Sequence, residues 1–347
     1  MTEKCFSWKD GVQVAVNNGR GYPRLFKLSD GRLACAFDGM YVKCSSDDGL
    51  TWSDAVLASG FDEYEGLVCA NAALWQLDDG EILLAYRANG KKTGTPEGSY
   101  YSSIQVSASK DNGETWYHHS TIYENLELTG AYKGVWEPHF GMLNGVLTCF
   151  YANDSTNLIT TYQYIEYKQW INGEWTNRTV VCDGEKHKSR DGMPVWQQLR
   201  DGTYVCIIEG WNTAGNGKMM IKLVTSKDGI IWSEPVDIYV PKKGVAGAPY
   251  IAELPSGQLI VAFQTDEDMT KGAGARFAAM KTIISDFTPA YELTAQNFSE
   301  PEMPFETPDG YHSNWNGLYV SGNYVYAVTT TDYPERQIRL NRCKFEE

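Results

Sequence analysis

Ser45-Ser46-Asp47-Asp48-Gly49-Leu50-Thr51-Trp52 is the stretch whose reading decides the fold. A Ser, Asp, Gly and Trp in this order specify a self-contained turn. The Ser and Asp side chains hydrogen-bond the turn backbone, Gly takes a positive φ, and Trp packs beneath. The phrase returns as Ser109-Lys110-Asp111-Asn112-Gly113-Glu114-Thr115-Trp116 and as Ser226-Lys227-Asp228-Gly229-Ile230-Ile231-Trp232. Three copies, each followed by a strand-like run, make a repeat, and a repeat governs the architecture.

A second phrase counts the units. An apolar residue, a short polar turn carrying Gly and an apolar run follow one another at Leu28-Ser29-Asp30-Gly31, Leu77-Asp78-Asp79-Gly80 and Leu143-Asn144-Gly145. The same order returns at Leu199-Arg200-Asp201-Gly202, Leu254-Pro255-Ser256-Gly257 and Val320-Ser321-Gly322. These read as hairpin turns. The six Gly are separated by 49, 65, 57, 55 and 65 residues, room for one four-stranded sheet and a loop per unit. No stretch reads as a long amphipathic helix. The expectation is an all-β fold, a six-bladed β-propeller of four-stranded antiparallel blades forming one domain over residues 1–347.

The three Asp phrases fall late in the first, second and fourth units, where third and fourth strands join. A decayed copy surrounds Asn172-Gly173-Glu174-Trp175, and the fifth unit keeps only Ser285-Asp286-Phe287. Too little chain follows Gly322 to complete the sixth sheet. The stretch from Cys5-Phe6-Ser7-Trp8 through Val12-Gln13-Val14-Ala15-Val16 is therefore expected to supply an N-terminal strand closing the last blade. Its alternation of Val12, Val14 and Val16 has the period of a strand.

Composition narrows the function. A net charge of −14 argues against a nucleic-acid partner, whose phosphates demand a basic face. No apolar run reaches about 18 residues and Met1-Thr2-Glu3-Lys4-Cys5 has no apolar leader core, so no membrane association is expected. The sequence as written reads as cytoplasmic, or as secreted or periplasmic if a leader has been trimmed. The eight Cys show no Cys-x-x-Cys spacing, and Cys35, Cys149 and Cys206 lie in apolar runs as buried thiols. His139 and His187 lack metal-ligand spacing, and the Asp phrases lack a calcium-loop pattern, so no metal and no cofactor are expected. The 22 Tyr and 11 Trp suit strands and turn packing first, and sugar-binding surfaces second. An oligo- or polysaccharide is the expected partner.

The hairpin turns also locate the chemistry. They share one face of the ring, so the starts of first strands and the ends of second strands gather at the other face, near the axis. Seven residues beyond each turn Gly stand Asp38, Arg87, Ala152, Glu209, Gln264 and Thr329. Five of the six are polar, after apolar runs. One mouth is expected to collect Arg24, Asp38, Arg87, Glu137, Asp154, Asp191, Glu209, Gln264 and Asn314. Tyr22, Tyr311, Trp315 and Tyr319 are candidate stacking platforms, with core packing the alternative for each, and Trp136 and Trp211 beside the acids are candidate substrate-binding residues.

Two carboxylates stand out by context. Glu137 lies in Gly134-Val135-Trp136-Glu137-Pro138-His139-Phe140, and Glu209 ends Tyr204-Val205-Cys206-Ile207-Ile208-Glu209-Gly210-Trp211. An acid among apolar and aromatic neighbours has a raised pKa unless it is paired. Two such groups on adjacent blades are what glycosidic cleavage needs. The alternative is a non-catalytic binding propeller, with each acid tied to an arginine such as Arg87 or Arg190.

The Ser-x-Asp-x-Gly-x-Thr-Trp phrases resemble the Asp-boxes of the sialidase superfamily, whose fold is the six-bladed propeller. Within it the chain most resembles glycoside hydrolase family 93, the exo-1,5-α-L-arabinanases that release arabinobiose from linear arabinan. The resemblance runs along nearly the whole chain. Its most specific parts are Trp136-Glu137-Pro138, Ser189-Arg190-Asp191-Gly192-Met193-Pro194 and Ile208-Glu209-Gly210. It implies Glu137 and Glu209 as the catalytic pair, acting with retention through a glycosyl-enzyme intermediate. Glu137 is the expected nucleophile and Glu209 the acid/base, on the ground that Ile208 and Trp211 would desolvate Glu209. Arg24, Asp38, Asp191 and the mouth aromatics would orient the terminal sugars. A true sialidase is the competing reading. Its first arginine sits in a Phe/Tyr-Arg-Ile-Pro phrase, whereas Tyr22-Pro23-Arg24-Leu25 reverses the Arg and Pro order.

Overall fold

A computed structural model describes residues 6–59, 66–127, 133–155, 161–212, 217–272, 274 and 277–345. Nearly all of its regular structure is antiparallel strand. An outer strand, β1 (Val12–Asn18), precedes the first blade, which runs β2 (Arg24–Lys27), β3 (Leu33–Phe37), β4 (Tyr41–Ser45) and β5 (Val56–Leu57). The second blade is β6 (Leu67–Gln76), β7 (Ile82–Gly90), β8 (Tyr100–Ser109) and β9 (Tyr117–Glu127). In the third, β10 (Val135–Leu143), β11 (Val146–Asn153) and β12 (Tyr164–Ile171) are followed by β13 (Glu174–Trp175) and β14 (Thr179–Cys182), both paired with β12.

The fourth blade is β15 (Ser189–Gln198), β16 (Tyr204–Asn212), β17 (Met219–Ser226) and β18 (Val236–Tyr239). The fifth has β19 (Ala246–Glu253), β20 (Leu259–Thr265) and β21 (Ala279–Ile284), with its fourth position reduced to the bridges Thr282 to Glu302 and Ser285 to Phe298. The sixth is β22 (Ser313–Ser321), β23 (Tyr324–Thr331) and β24 (Gln337–Lys344), and β1 pairs with β24 to complete it. Successive inner strands touch, and β2 touches β22, so the ring closes on itself. The N-terminal closure is thus β1 as expected. The preceding Trp8–Asp10 is a short 3₁₀ turn rather than strand, with Phe6 and Trp8 buried edge-to-face, and Cys5 lies outside the described residues.

The three Asp phrases fold alike. Ser45 Oγ donates to Asp47 Oδ1 at 2.7 Å, the Gly49 N–H reaches Ser45 Oγ, and Trp52 Nε1 reaches the Gly49 carbonyl at 3.1 Å. Ser109, Asp111, Gly113 and Trp116 repeat these bonds, as do Ser226, Asp228, Gly229 and Trp232. Each copy joins a third strand to a fourth. The six turn glycines all take positive φ, which a side chain would resist, and they sit at the face opposite the strand ends that carry Asp38 and Glu209. Between blades the core is apolar and aromatic. Phe150 of β11 stacks on Trp196 of β15 with ring centres 4.4 Å apart, and Trp196 Nε1 donates to the His139 carbonyl. No described helix is long and apolar enough to cross a membrane.

Candidate active site

In five of the six blades the inner strand begins with a slip in register that strand propensity does not announce. At the start of each inner strand a non-glycine residue sits in the left-handed region: Tyr22, Asn71, Glu137, Met193, Ala248 and Trp315, with φ between 48° and 62°. In blades two to six the ladder shifts there, between Ala70 and Ala73, Trp136 and His139, Gly192 and Val195, Gly247 and Tyr250, and Asn314 and Gly317. Such bulges re-aim a side chain, and a non-glycine residue at positive φ costs about 1–3 kcal/mol. The six left-handed residues form the ring that surrounds the mouth.

The bulges explain the polar residues at the second-strand ends. The freed N–H at these positions needs an acceptor, and at five of the six the preceding blade supplies it. Asp38 Oδ1 accepts from Asn71 N at 3.1 Å, Glu209 Oε2 from Ala248 N at 2.8 Å, and Gln264 Oε1 from Trp315 N at 2.7 Å. Thr330 Oγ1 accepts from Tyr22 N. The sixth position is therefore Thr330, one residue beyond the Thr329 reached by counting; Thr329 instead donates to Asn316. Arg87 cannot accept, and its Nε donates to Asn71 Oδ1 at 2.5 Å. The Met193 N–H points at Glu137 Oε2 at 3.4 Å.

Glu137 and Glu209 consequently converge on consecutive residues of β15. Glu137 meets Met193, while Glu209 Oε1 lies 3.3 Å from where a Cβ on Gly192 would stand. Gly247 is equally constrained, since a Cβ there would come within 2.7 Å of Glu209 Oε2. No ion pair reaches either carboxylate among the described residues. Burial pushes the Glu137 carboxyl up to about 7, and the neighbouring Glu209 charge adds to that rise. Arg190, Arg87 and the Met193 N–H oppose it. Glu209, only 7% exposed, is also raised by burial, with the Ala248 N–H and Arg190 pulling the other way. The Ala248 bond is the shorter of the two backbone contacts and favours an ionised Glu209. The sequence-based ground for a proton on Glu209 fails in one half. Ile208 is buried, but Trp211 is 47% exposed, so other neighbours bury Glu209.

Around the pair, Trp136 is buried with the Arg87 guanidinium 5.1 Å from its ring. Asp154 holds the start of β10 by accepting from Gly134 N and Trp136 Nε1. Asp38 is raised by burial, against the Asn71 N–H, Arg87, Arg24 and Arg20. Trp315, 37% exposed, lies beside Tyr22 with ring centres 6.3 Å apart. Asn314 is buried next to it, and exposed Tyr311 packs edge-on against Tyr333 outside the strand ends.

The structure gives three of the candidate residues partners that the sequence did not announce. Arg24 is buried and donates through one nitrogen to the carbonyls of Pro23, Trp315 and Asn316, between the rings of Tyr22 and Tyr250, so it staples the first blade to the sixth. Asp191 is fully buried, accepting from Ser189 Oγ and Cys182 Sγ and pairing with Lys222 at 3.4 Å. Gly210 makes that pair reachable, because a Cβ there would meet Lys222 Nζ at 2.6 Å. Tyr319 lies away from the mouth, its hydroxyl accepting from Lys27 N and its ring lining a chamber nearer the hairpin turns.

Sequence reasoning missed Gln163, fully buried with both amide atoms unpartnered, its Nε2 3.8 Å from a Cβ position on Gly192. It also missed Asn71 and Met193, whose importance arises from the bulges. Among the described residues no cluster of His, Cys, Asp or Glu is arranged to hold a metal ion.

The fold and the mouth define a six-bladed propeller whose axis opens beside two carboxyls free of ion pairs. No protein-family model and no curated protein matches the chain. Among solved structures it is similar to an α-L-arabinanase of Penicillium chrysogenum complexed with arabinobiose, at 19% identity over 96% of this chain and 98% of that one, with a TM-score of 0.72. It is also similar to a GH93 α-L-arabinofuranosidase of Fusarium graminearum complexed with arabinobiose, at 17% identity over 96% and 97%, TM-score 0.71. The NanB sialidase of Streptococcus pneumoniae follows the fold at 12% identity, 95% of this chain and 68% of that one, TM-score 0.64. At these identities the likeness is one of fold.

Proposed function

We propose that the protein is a retaining, exo-acting glycoside hydrolase that cleaves α-1,5-linked arabinan or arabino-oligosaccharides to arabinobiose. The observation that carries the reading is the pair itself: two carboxyls from adjacent blades, raised by burial, free of ion pairs and focused on Gly192 and Met193. A purely structural acid at such a site would be expected to carry an arginine or lysine partner. The arabinobiose bound by two similar structures supports the choice of substrate.

The proton belongs on Glu137 and the charge on Glu209, the reverse of the sequence-based expectation. Glu209 is held by Ala248 through Oε2 and offers Oε1, which attacks the anomeric carbon. As the glycosidic C–O bond breaks, Glu137 gives its proton to the departing oxygen. Water then attacks the glycosyl ester, returning its proton to Glu137 and releasing Glu209. Trp315 offers an exposed face to the sugar rings beside the pair, backed by Tyr22.

The test is digestion of linear arabinan alongside a fluorogenic sialoside, with product stereochemistry followed by NMR. Arabinobiose with retained configuration supports the reading. Sialic-acid release would select the sialidase alternative, and silence on a wider glycoside panel would leave a binding propeller. For the roles, Glu137→Ala should still turn over an aryl glycoside whose leaving group needs no proton, while Glu209→Ala should not. The opposite pattern exchanges the two roles.

A further inference from the structure

One cavity lies away from the mouth. A chamber of about 650 Å³ follows the axis from the level of Arg24, His139 and Tyr250 towards the hairpin turns, and neither Glu137 nor Glu209 lines it. Its inner end is closed by contacts. The Arg24 guanidinium lies 3.9 Å from the Tyr22 ring centre on one side and 5.3 Å from that of Tyr250 on the other, and His139 Nε2 is 3.3 Å from the Tyr250 hydroxyl. Tyr22 in turn packs on Met193 and Ala248 in the mouth ring.

The lining is amphipathic in a specific way. Phe26, Trp75 and Tyr319 form an aromatic cluster, with ring centres 5.5 Å apart for Phe26 and Trp75 and 6.4 Å for Phe26 and Tyr319. Among the lining residues, His139 and Gln197 each carry a buried side-chain nitrogen, Nδ1 and Nε2, without a hydrogen-bond partner among the described residues. The charges of the lining are already engaged. Arg200 pairs with Glu253 at 3.0 Å, and Arg24 donates to three carbonyls. Burial and the Arg24 charge push the His139 ring down to about 3, so it is neutral at physiological pH.

We propose that this chamber is a second carbohydrate site, binding a neutral mono- or disaccharide independently of Glu137 and Glu209. The Gln197 amide requires an acceptor, and the neutral His139 ring requires a donor or an acceptor according to its tautomer. A hydroxyl serves both. The apolar face of a sugar ring stacks on indole and phenol rings, and a chamber of this volume holds one or two such rings. An acidic sugar finds no free cation there, since Arg24 and Arg200 are both committed. The inference stands whether or not the mouth hydrolyses arabinan.

The experiment titrates the full chain with L-arabinose, D-xylose, D-galactose and arabinobiose, and with D-galacturonate as the acidic probe. Binding is followed by calorimetry, and soaked crystals locate the sugar. Gln197→Leu removes the unpartnered amide at nearly constant volume, and Trp75→Leu removes part of the aromatic wall. One binding event should weaken about tenfold or more in both variants, equivalent to about 1.4 kcal/mol for each factor of ten. Turnover at the mouth and the melting midpoint of Gln197→Leu should stay at wild-type values. Density for a neutral sugar beside Trp75 and Gln197 completes the case. Saccharide density confined to the mouth, tighter binding of galacturonate than of every neutral sugar, or binding unchanged in Gln197→Leu and Trp75→Leu each overturns the proposal. Absence of any binding by the four neutral sugars at millimolar concentration does so too.

Discussion

Replacing Glu137 by Gln should make the protein inactive and, in alkaline solution, more stable. The folded protein raises this carboxyl from 4.5 to about 7. That rise corresponds to about 3 kcal/mol of extra preference for the proton in the folded state, an upper figure because the side chain is partly open to the mouth. A carboxyl whose pKa is raised on folding contributes stability below its unfolded value, and that stability is lost as pH rises through the folded value. Wild type therefore loses this contribution between about pH 4.5 and 7, whereas the amide introduced by Glu137→Gln has no such proton to lose. The advantage of Glu137→Gln over wild type should grow by at most about 2 kcal/mol between pH 5.5 and pH 8, from the same linkage. Chemical denaturation of both proteins at the two pH values measures it. The same proton sets the alkaline limb of kcat/KM, which should fall above about pH 7. A stability difference that stays flat with pH, together with an alkaline limb unrelated to pH 7, would refute the assignment of the proton to Glu137.

Other expectations concern the scaffold. Lys222→Met should destabilise the protein by about 3–5 kcal/mol by stranding the buried Asp191 charge; adding Asp191→Asn should recover most of that loss, and urea titrations of the three variants test the coupling. Asp111→Ala should lower the melting midpoint while leaving kcat unchanged, because Asp111 bonds only within its own turn, far from the mouth. Its hydrogen bonds to Thr115 and Ser109 hold that carboxyl down to about 2, so their contribution should persist to low pH and fade only as the pH approaches 2. Deleting residues 1–18 should abolish cooperative unfolding by exposing the edge of β24 and removing Trp8, whose carbonyl and indole bond to Asn341 and Thr282. Gln163→Leu should reduce kcat by about tenfold with little change in KM, the equivalent of one hydrogen bond of about 1.4 kcal/mol at the transition state.

The legible part of this fold was local. The Asp phrase is a closed circuit of bonds within eight residues, so Ser45, Asp47, Gly49 and Trp52 declare their turn without reference to the rest of the chain. The hairpin glycines are equally local, and together they fixed the number of blades, the closing role of β1 and the end of each blade on which Glu137 and Glu209 lie. The acids themselves were legible because apolar and aromatic neighbours make a lone carboxyl conspicuous.

By itself, then, the sequence determined the repeat, the ring and the two carboxyls that could carry chemistry. Only the tertiary structure decided what each polar residue near the axis does. The bulges at Asn71, Met193, Ala248 and Trp315 are held by hydrogen bonds to neighbouring blades, from residues far away in sequence, and none has glycine at its left-handed position. A one-residue slip in a strand exchanges its faces. Because of this, Asp191 turns inward to Lys222 while Met193, two residues on, meets Glu137. The proton proposed for Glu137 rests on the same source, since the shorter backbone bond to Glu209, rather than residue type, distinguishes the two acids.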